Sequence, residues 1–206
     1  LGYVRQALTL AERYGFGFTL ITKSARVLRD LELLRSINEK TKCVVQMTLT
    51  TRDEDLCRLL EPNVSTTRER AEALNALRDA GIPTVVWLSP ILPLINDTED
   101  NIRGILSLCR EAQVYGVICF GMGMTLREGN REYYYRQLDR LFPGLKEKYA
   151  ETYGMRYQLL SPRHDELMAL FHTLCGEYGI VHDNERIFAY LREFEEKDRG
   201  EQLSLF

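Results

Sequence analysis

Residues 43–93 read CVVQMTLTTRDEDLCRLLEPNVSTTRERAEALNALRDAGIPTVVWLSPILP. Two apolar runs, CVVQMTLT (43–50) and PTVVWLSPIL (83–92), flank a segment of helical period. In RERAEALNALRDAG (68–81), Leu74 and Leu77 fall on one face and Gly81 marks the stop. Neither apolar run alternates with polar residues, so each predicts a strand covered on both faces, as in a parallel sheet. The segment is therefore a strand–helix–strand unit with a right-handed crossover.

The unit repeats on both sides. FTLITK (18–23) and GVICFGMGM (116–124) predict further strands. YVRQALTLAERYG (3–15) predicts a helix with Val4, Ala7, Leu8, Ala11 and Tyr14 on its buried face, ending at Gly15. Leu31, Leu34 and Ile37 mark a second helix, and DTEDNIRGILSLCREA (97–112) a third, with an Asp or Thr cap. The expected fold class is α/β, with about four parallel strands in a barrel, a partial barrel or a doubly wound sheet. All three place chemistry at the carboxyl ends of the strands. Lys23-Ser24, Thr48-Leu49-Thr50-Thr51, Ser89-Pro90 and Gly121-Met122-Gly123-Met124 occupy those ends. One cation, several hydroxyls and close-approach glycines suit a small polar ligand carrying a carboxylate or a ribose. The same hydroxyls also serve as helix caps.

Residues 126–191 are expected to form a helical extension packed on the barrel of residues 1–125. REYYYRQLDRLFPGLKEKYAETYG (131–154) and SPRHDELMALFHTLCGEYG (161–179) read as helices without intervening strands. Ser161 is the cap candidate of the second, and Leu167, Leu170, Phe171 and Leu174 form its buried stripe. Tyr133, Tyr134 and Tyr135 cannot all face inward from one helix, so at least one is expected to be exposed or hydrogen-bonded.

With 206 residues, 45% hydrophobic content and a net charge of −3, the chain can bury one sizeable core and carries no global basic field. No signal peptide and no apolar run of membrane-spanning length is visible. The five cysteines, Cys43, Cys57, Cys109, Cys119 and Cys175, are widely spaced, with no Cys-x-x-Cys pair. Cys43 and Cys119 sit inside predicted strands and read as small buried hydrophobes, and the set fits a reducing cytoplasm.

Thr22-Lys23, Thr48, Glu61-Pro62, Ser65, Arg70, Ala80-Gly81-Ile82-Pro83 and Ser89-Pro90-Ile91, in that order, resemble the spore photoproduct lyase-like branch of the radical S-adenosylmethionine (radical SAM) enzymes. The resemblance covers roughly residues 16–125. MTLREGNREYYY (124–135) and LFPGLKEKY (141–149) resemble a bacterial subgroup of that branch. The resemblance implies a six-stranded partial barrel holding a [4Fe-4S] cluster. It also implies reductive cleavage of S-adenosylmethionine to a 5′-deoxyadenosyl radical that abstracts hydrogen from substrate. Position by position, Lys23 resembles the lysine that reaches the methionyl carboxylate. Thr48 matches a hydroxyl contacting the same cofactor, and Ser89 a small residue lining it. Glu61 and Arg70 are expected to pair with each other and fix their loop.

The family's Cys-x-x-x-Cys-x-x-Cys loop has no counterpart in this sequence, nor have the first two strands. The expectation is an N-terminally truncated barrel that binds no cluster and catalyses nothing on its own. Its first strand should present an open edge, covered by helix 3–14, by the tail or by a second copy of the chain. The reading for the full-length protein is a radical SAM enzyme acting on DNA or a nucleotide lesion. Alternatives are a radical SAM enzyme with a non-DNA substrate, and a non-catalytic α/β scaffold or ligand-binding barrel.

The tail, residues 192–206, is charged until it ends in QLSLF. Gln202, Leu203, Leu205 and Phe206 resemble the peptide by which bacterial replication and repair proteins hold the DNA sliding clamp. Two readings stand: a hook for that clamp, or an apolar plug on the chain's own core.

Overall fold

The computed structural model describes residues 2–194; the QLSLF residues Gln202, Leu203, Leu205 and Phe206 lie outside them. A four-stranded parallel sheet runs β1 (Phe18–Thr22), β2 (Cys43–Thr48), β3 (Thr84–Trp87), β4 (Gly116–Ile118), in that spatial order. Register places Thr22 beside Met47 and Thr48 beside Trp87. A parallel bridge from Gly116 to Val181 extends the sheet past β4. The strands form an open four-stranded sheet, with helices between them as the apolar runs predict.

All six residues of β2 are buried, and they divide between two layers. Cys43, Val45, Met47 and the following Leu49 pack against helices. These are α1 (Tyr3–Tyr14), α2 (Leu31–Lys40), α4 (Thr67–Asp79) and α5 (Glu99–Glu111). Val44, Val85 and Ile118 face the opposite side, where Ile187 and Leu191 of α9 (Asn184–Arg192) cover them. Further along that face, Trp87 Nε1 donates to Gln46 Oε1 (2.7 Å) and Gln46 Nε2 donates to Thr19 Oγ1 (2.8 Å). Three neighbouring strands are thus tied by side chains as well as by backbone.

Local signals explain the helix ends. Thr66 and Glu69 close a capping box on α4, each bonding the other's backbone N–H. Asp53, Thr98 and Asp183 cap α3 (Glu54–Leu60), α5 and α9. Gly15 and Gly179 end α1 and α8 (His164–Tyr178) in the left-handed conformation.

Three features differ from the sequence reading. Only Leu8 and Ala11 of the expected α1 face are buried, while Val4 and Tyr14 are exposed. α1 leans on α2 and leaves the outer edge of β1 without a paired strand among the described residues. Residues 116–124 are not one strand. The chain breaks after β4, turns through Gly121 at φ +131°, and resumes as β5 (Gly123–Thr125). β5 pairs antiparallel with β6 (Gln158–Leu160), a strand inside the extension expected to be helical. A β-carbon on Gly123 would stand 2.3 Å from the Leu159 carbonyl oxygen, so glycine permits that close pairing. Ser161 does not cap α8 directly. Its hydroxyl accepts from Arg163 N (3.0 Å) and donates to Asp97 Oδ2 (2.5 Å), tying the extension to the loop before α5.

Candidate functional site

Lys23, Thr48 and Ser89 all lie at the carboxyl end of the parallel sheet. Lys23 follows β1, Thr48 closes β2, and Ser89 stands two residues past β3. A chain of charges links the first two. Lys23 Nζ donates to Glu61 Oε1, and Arg70 Nη2 donates to Glu61 Oε2 at 2.5 Å. Arg70 has no exposed surface. Its other nitrogens donate to the carbonyl oxygens of Ser65 (2.7 Å) and Thr48 (3.0 Å). Glu61 and Arg70 therefore pair as their types suggest, and the pair reaches further than expected, taking in Lys23 and the end of β2.

Burial alone would raise the Glu61 pKa. Hydrogen bonds and charge from Lys23 and Arg70 outweigh it and hold the carboxyl below the usual range. Two cations against one carboxylate leave the rim with a net positive charge. An ammonium has three donors, and Lys23 uses one on Glu61, so two remain for a ligand carboxylate. The β2 side of the rim is held by amides. Asn96 and Asn101 both donate to the Thr50 carbonyl oxygen, at 2.8 and 2.9 Å, and Thr67 Oγ1 donates to that of Thr51 at 2.5 Å. Sequence reasoning did not single out these asparagines; their position beside the α5 cap was the available signal.

Two clefts open on this end, with Pro90 in the wall of both. One, of about 440 Å³, joins Ser89 to Phe120, Gly121, Gly123, Met124 and Thr125. The other, of about 240 Å³, lies between Leu59–Pro62 and helix α6 (Asn130–Leu141). Ser89 thus faces a different hollow from Glu61, the partner of Lys23.

The thiols do not suit a cluster. All five cysteines are buried. Burial pushes Cys43 up to about 12, and raises Cys109, Cys119 and Cys175 as well. Among the described residues no three His, Cys, Asp or Glu side chains converge as a metal site. Because all five thiols are buried from the reagent, none should react with Ellman's reagent at pH 8 within minutes, and all should react in denaturant. A thiol that titrates in the folded chain would contradict this burial.

No helix among the described residues is long and apolar enough to cross a membrane. No family model matches the chain. An uncharacterized protein of Mycobacterium tuberculosis is 29% identical over 154 residues, 75% of this chain and 44% of that protein. One of Acidianus two-tailed virus is 28% identical over 130 residues, 63% of this chain and 42% of that protein. The chain thus spans less than half the length of these curated relatives. Spore photoproduct lyase complexed with dinucleoside spore photoproduct superposes with a TM-score of 0.55 at 16% identity, over 86% of this chain and 53% of that one. A cysteine-to-serine mutant of the same enzyme gives 0.56 at 15% identity, again over 86% and 53%. The fold of this chain, a four-stranded parallel sheet with its helices, is similar to about half of spore photoproduct lyase.

Proposed function

We propose that this chain is the S-adenosylmethionine-holding part of a radical SAM enzyme that acts on DNA or a nucleotide lesion. The observation that carries the reading is the rim: Lys23, Thr48 and Ser89 on three adjacent strand ends, with Lys23 oriented by a carboxylate that a fully buried arginine clamps. Lys23 would take the methionyl carboxylate as a point charge. Thr48 would add a neutral hydrogen bond, its backbone fixed by Arg70. Ser89, at the mouth of its own cleft, would line the cofactor further round. In the family resembled, the cluster supplies the electron that cleaves S-adenosylmethionine. The cysteines of this chain do not fit that cluster, so its ligands must come from residues other than these. The nucleic-acid half of the proposal is supported by the dinucleoside spore photoproduct named with the similar structure.

Calorimetric titration of the chain with S-adenosylmethionine tests the reading. Binding should be measurable, and Lys23→Ala should weaken it about tenfold or more, as expected for losing a hydrogen bond between charged groups. Lys23→Arg should recover only part, because a planar fork does not replace a compact ammonium against Glu61. Binding that is absent, or indifferent to Lys23, would leave the alternative of a scaffold without this cofactor.

A further inference from the structure

Helix α6 presents two unlike faces. One carries Leu138 and the partly buried Tyr134 and Tyr135 into a cluster with Tyr149, Tyr153 and Leu159. Tyr134 is pinned there: its hydroxyl meets that of Tyr149 at 3.1 Å, and Tyr149 donates in turn to the Pro93 carbonyl oxygen. The other face carries Tyr133, Gln137 and Arg140, spaced four and three residues apart, so they stack along one side of the helix. That side forms a wall of the 240 Å³ cleft, opposite Leu59, Leu60 and Pro62.

Among the described residues nothing pairs with these three side chains. Tyr133 is 59% exposed, whereas Tyr134 and Tyr135 beside it pack partly into the tyrosine cluster. Among the described residues Arg140 forms no ion pair, whereas the neighbouring Asp139 is held by Lys146 at 2.6 Å. Gln137 stands at the cleft wall, its amide without a partner among the described residues. Among the described residues the only carboxylate lining the cleft is Glu61, and both its oxygens are taken by cations. The cleft therefore offers an aromatic face, an amide with donor and acceptor, apolar leucine walls and an unneutralised guanidinium. At about 240 Å³ the cleft falls below the usual range for a drug-sized ligand.

We infer that this cleft binds a single unstacked nucleobase of a single-stranded nucleic acid, with the base on Tyr133, its edge at Gln137 and the adjoining phosphate at Arg140. Aromatic stacking tolerates any base, and arginine matches phosphate bidentately. The site shares Thr50, Glu61, Pro90 and Asn96 with the rim described above, but Lys23, Thr48 and Ser89 do not line it, so the strand would run past the rim with one base anchored beside it. The ligand class rests on the nucleic-acid reading under Proposed function; the position rests on the geometry of α6.

The test uses the whole chain and 5′-fluorescein hexathymidylate, read by anisotropy across a salt series. Tyr133→Ala should weaken binding about tenfold, while Tyr133→Phe keeps the ring and stays within about twofold. Arg140→Gln should weaken binding and make the slope of log K against log salt shallower by about 0.7, the loss of one phosphate contact to a single strand. Circular dichroism should be unchanged in all three variants, because these side chains support no packing. Equal binding by the wild type and Tyr133→Ala would overturn the inference. So would no anisotropy change at roughly 100 µM chain in low salt, where even non-specific contacts register. Tyr133→Ala, which lies outside the Lys23–Glu61–Arg70 chain, serves as the separating control: it should lose hexathymidylate and keep S-adenosylmethionine. The two proposals can then fail independently.

Discussion

Arg70→Met is expected to cost about 3–5 kcal/mol, because removing one partner of a buried charge network leaves the others uncompensated. The Arg70 guanidinium joins the end of β2 (Thr48), the loop residue Ser65 and the Glu61 carboxylate. For a domain of this size that loss lowers the unfolding midpoint by roughly 10 °C. Methionine refills much of the volume but offers no donors, so two carbonyls and one carboxylate oxygen lose their partner. The pH dependence carries a second signature. The Glu61 pKa is lowered in the fold from an ordinary value of 4.5. The stability linked to it is present above that ordinary value and is lost as pH falls through the folded value. The gap between wild type and Arg70→Met should therefore be widest near neutrality and narrow in acid. Paired thermal scans from neutral pH down to about pH 3 check both statements. A variant that melts with the wild type at neutral pH would show that the network adds no stability.

Arg131→Met should cost about 2–4 kcal/mol, and its effect should be local. Arg131 is 8% exposed. Its guanidinium donates to the carbonyl oxygens of Gly154 (3.1 Å), Met155 (3.3 Å), Arg156 (2.5 Å) and Leu126 (3.4 Å). No carboxylate joins it among the described residues. Three of those carbonyls follow the end of α7 (Leu145–Tyr153), where the helix dipole presents its negative pole, so a cation is favoured there. Without the guanidinium the connection from α7 to β6 should open. Hydrogen exchange at Met124–Leu126 and Gln158–Leu160 should accelerate while β2 and β3 keep their protection. Unaltered exchange in β5 and β6 would refute the clamp.

The two arginines differ in how far the sequence exposes them. Arg70 follows Glu61-Pro62 and Ser65 at the start of a capped helix, a setting that already suggests a loop-fixing pair. Arg131 opens a helix rich in charge and reads as one solvated residue among several. Its burial comes from residues 23 to 25 positions downstream. The same limit applies to β5. Gly121-Met122-Gly123-Met124 continues an apolar run, and only pairing with β6, 35 residues on, reveals a second sheet. On α1, periodicity correctly predicted a helix but overstated its buried face, because the outer side of β1 supplies no partner to cover Val4 and Tyr14.

By itself the sequence determined the alternation of parallel strands and helices, the ends of α1 and α4 and the cap of α5, and the placement of Lys23, Thr48 and Ser89 on one rim. These follow from apolar period, side-chain hydrogen bonds within a few residues, and the parallel order that puts every strand's carboxyl end on the same side. Only the tertiary structure decided that Lys23 is bound to Arg70 through Glu61, that Arg131 is buried, and that Tyr133, Gln137 and Arg140 line a cleft without a partner among the described residues. Each of these depends on groups far apart in sequence meeting in space. A charge or a ring carries no local mark of whether its partner will be there; packing alone brings the partner to it or leaves it open.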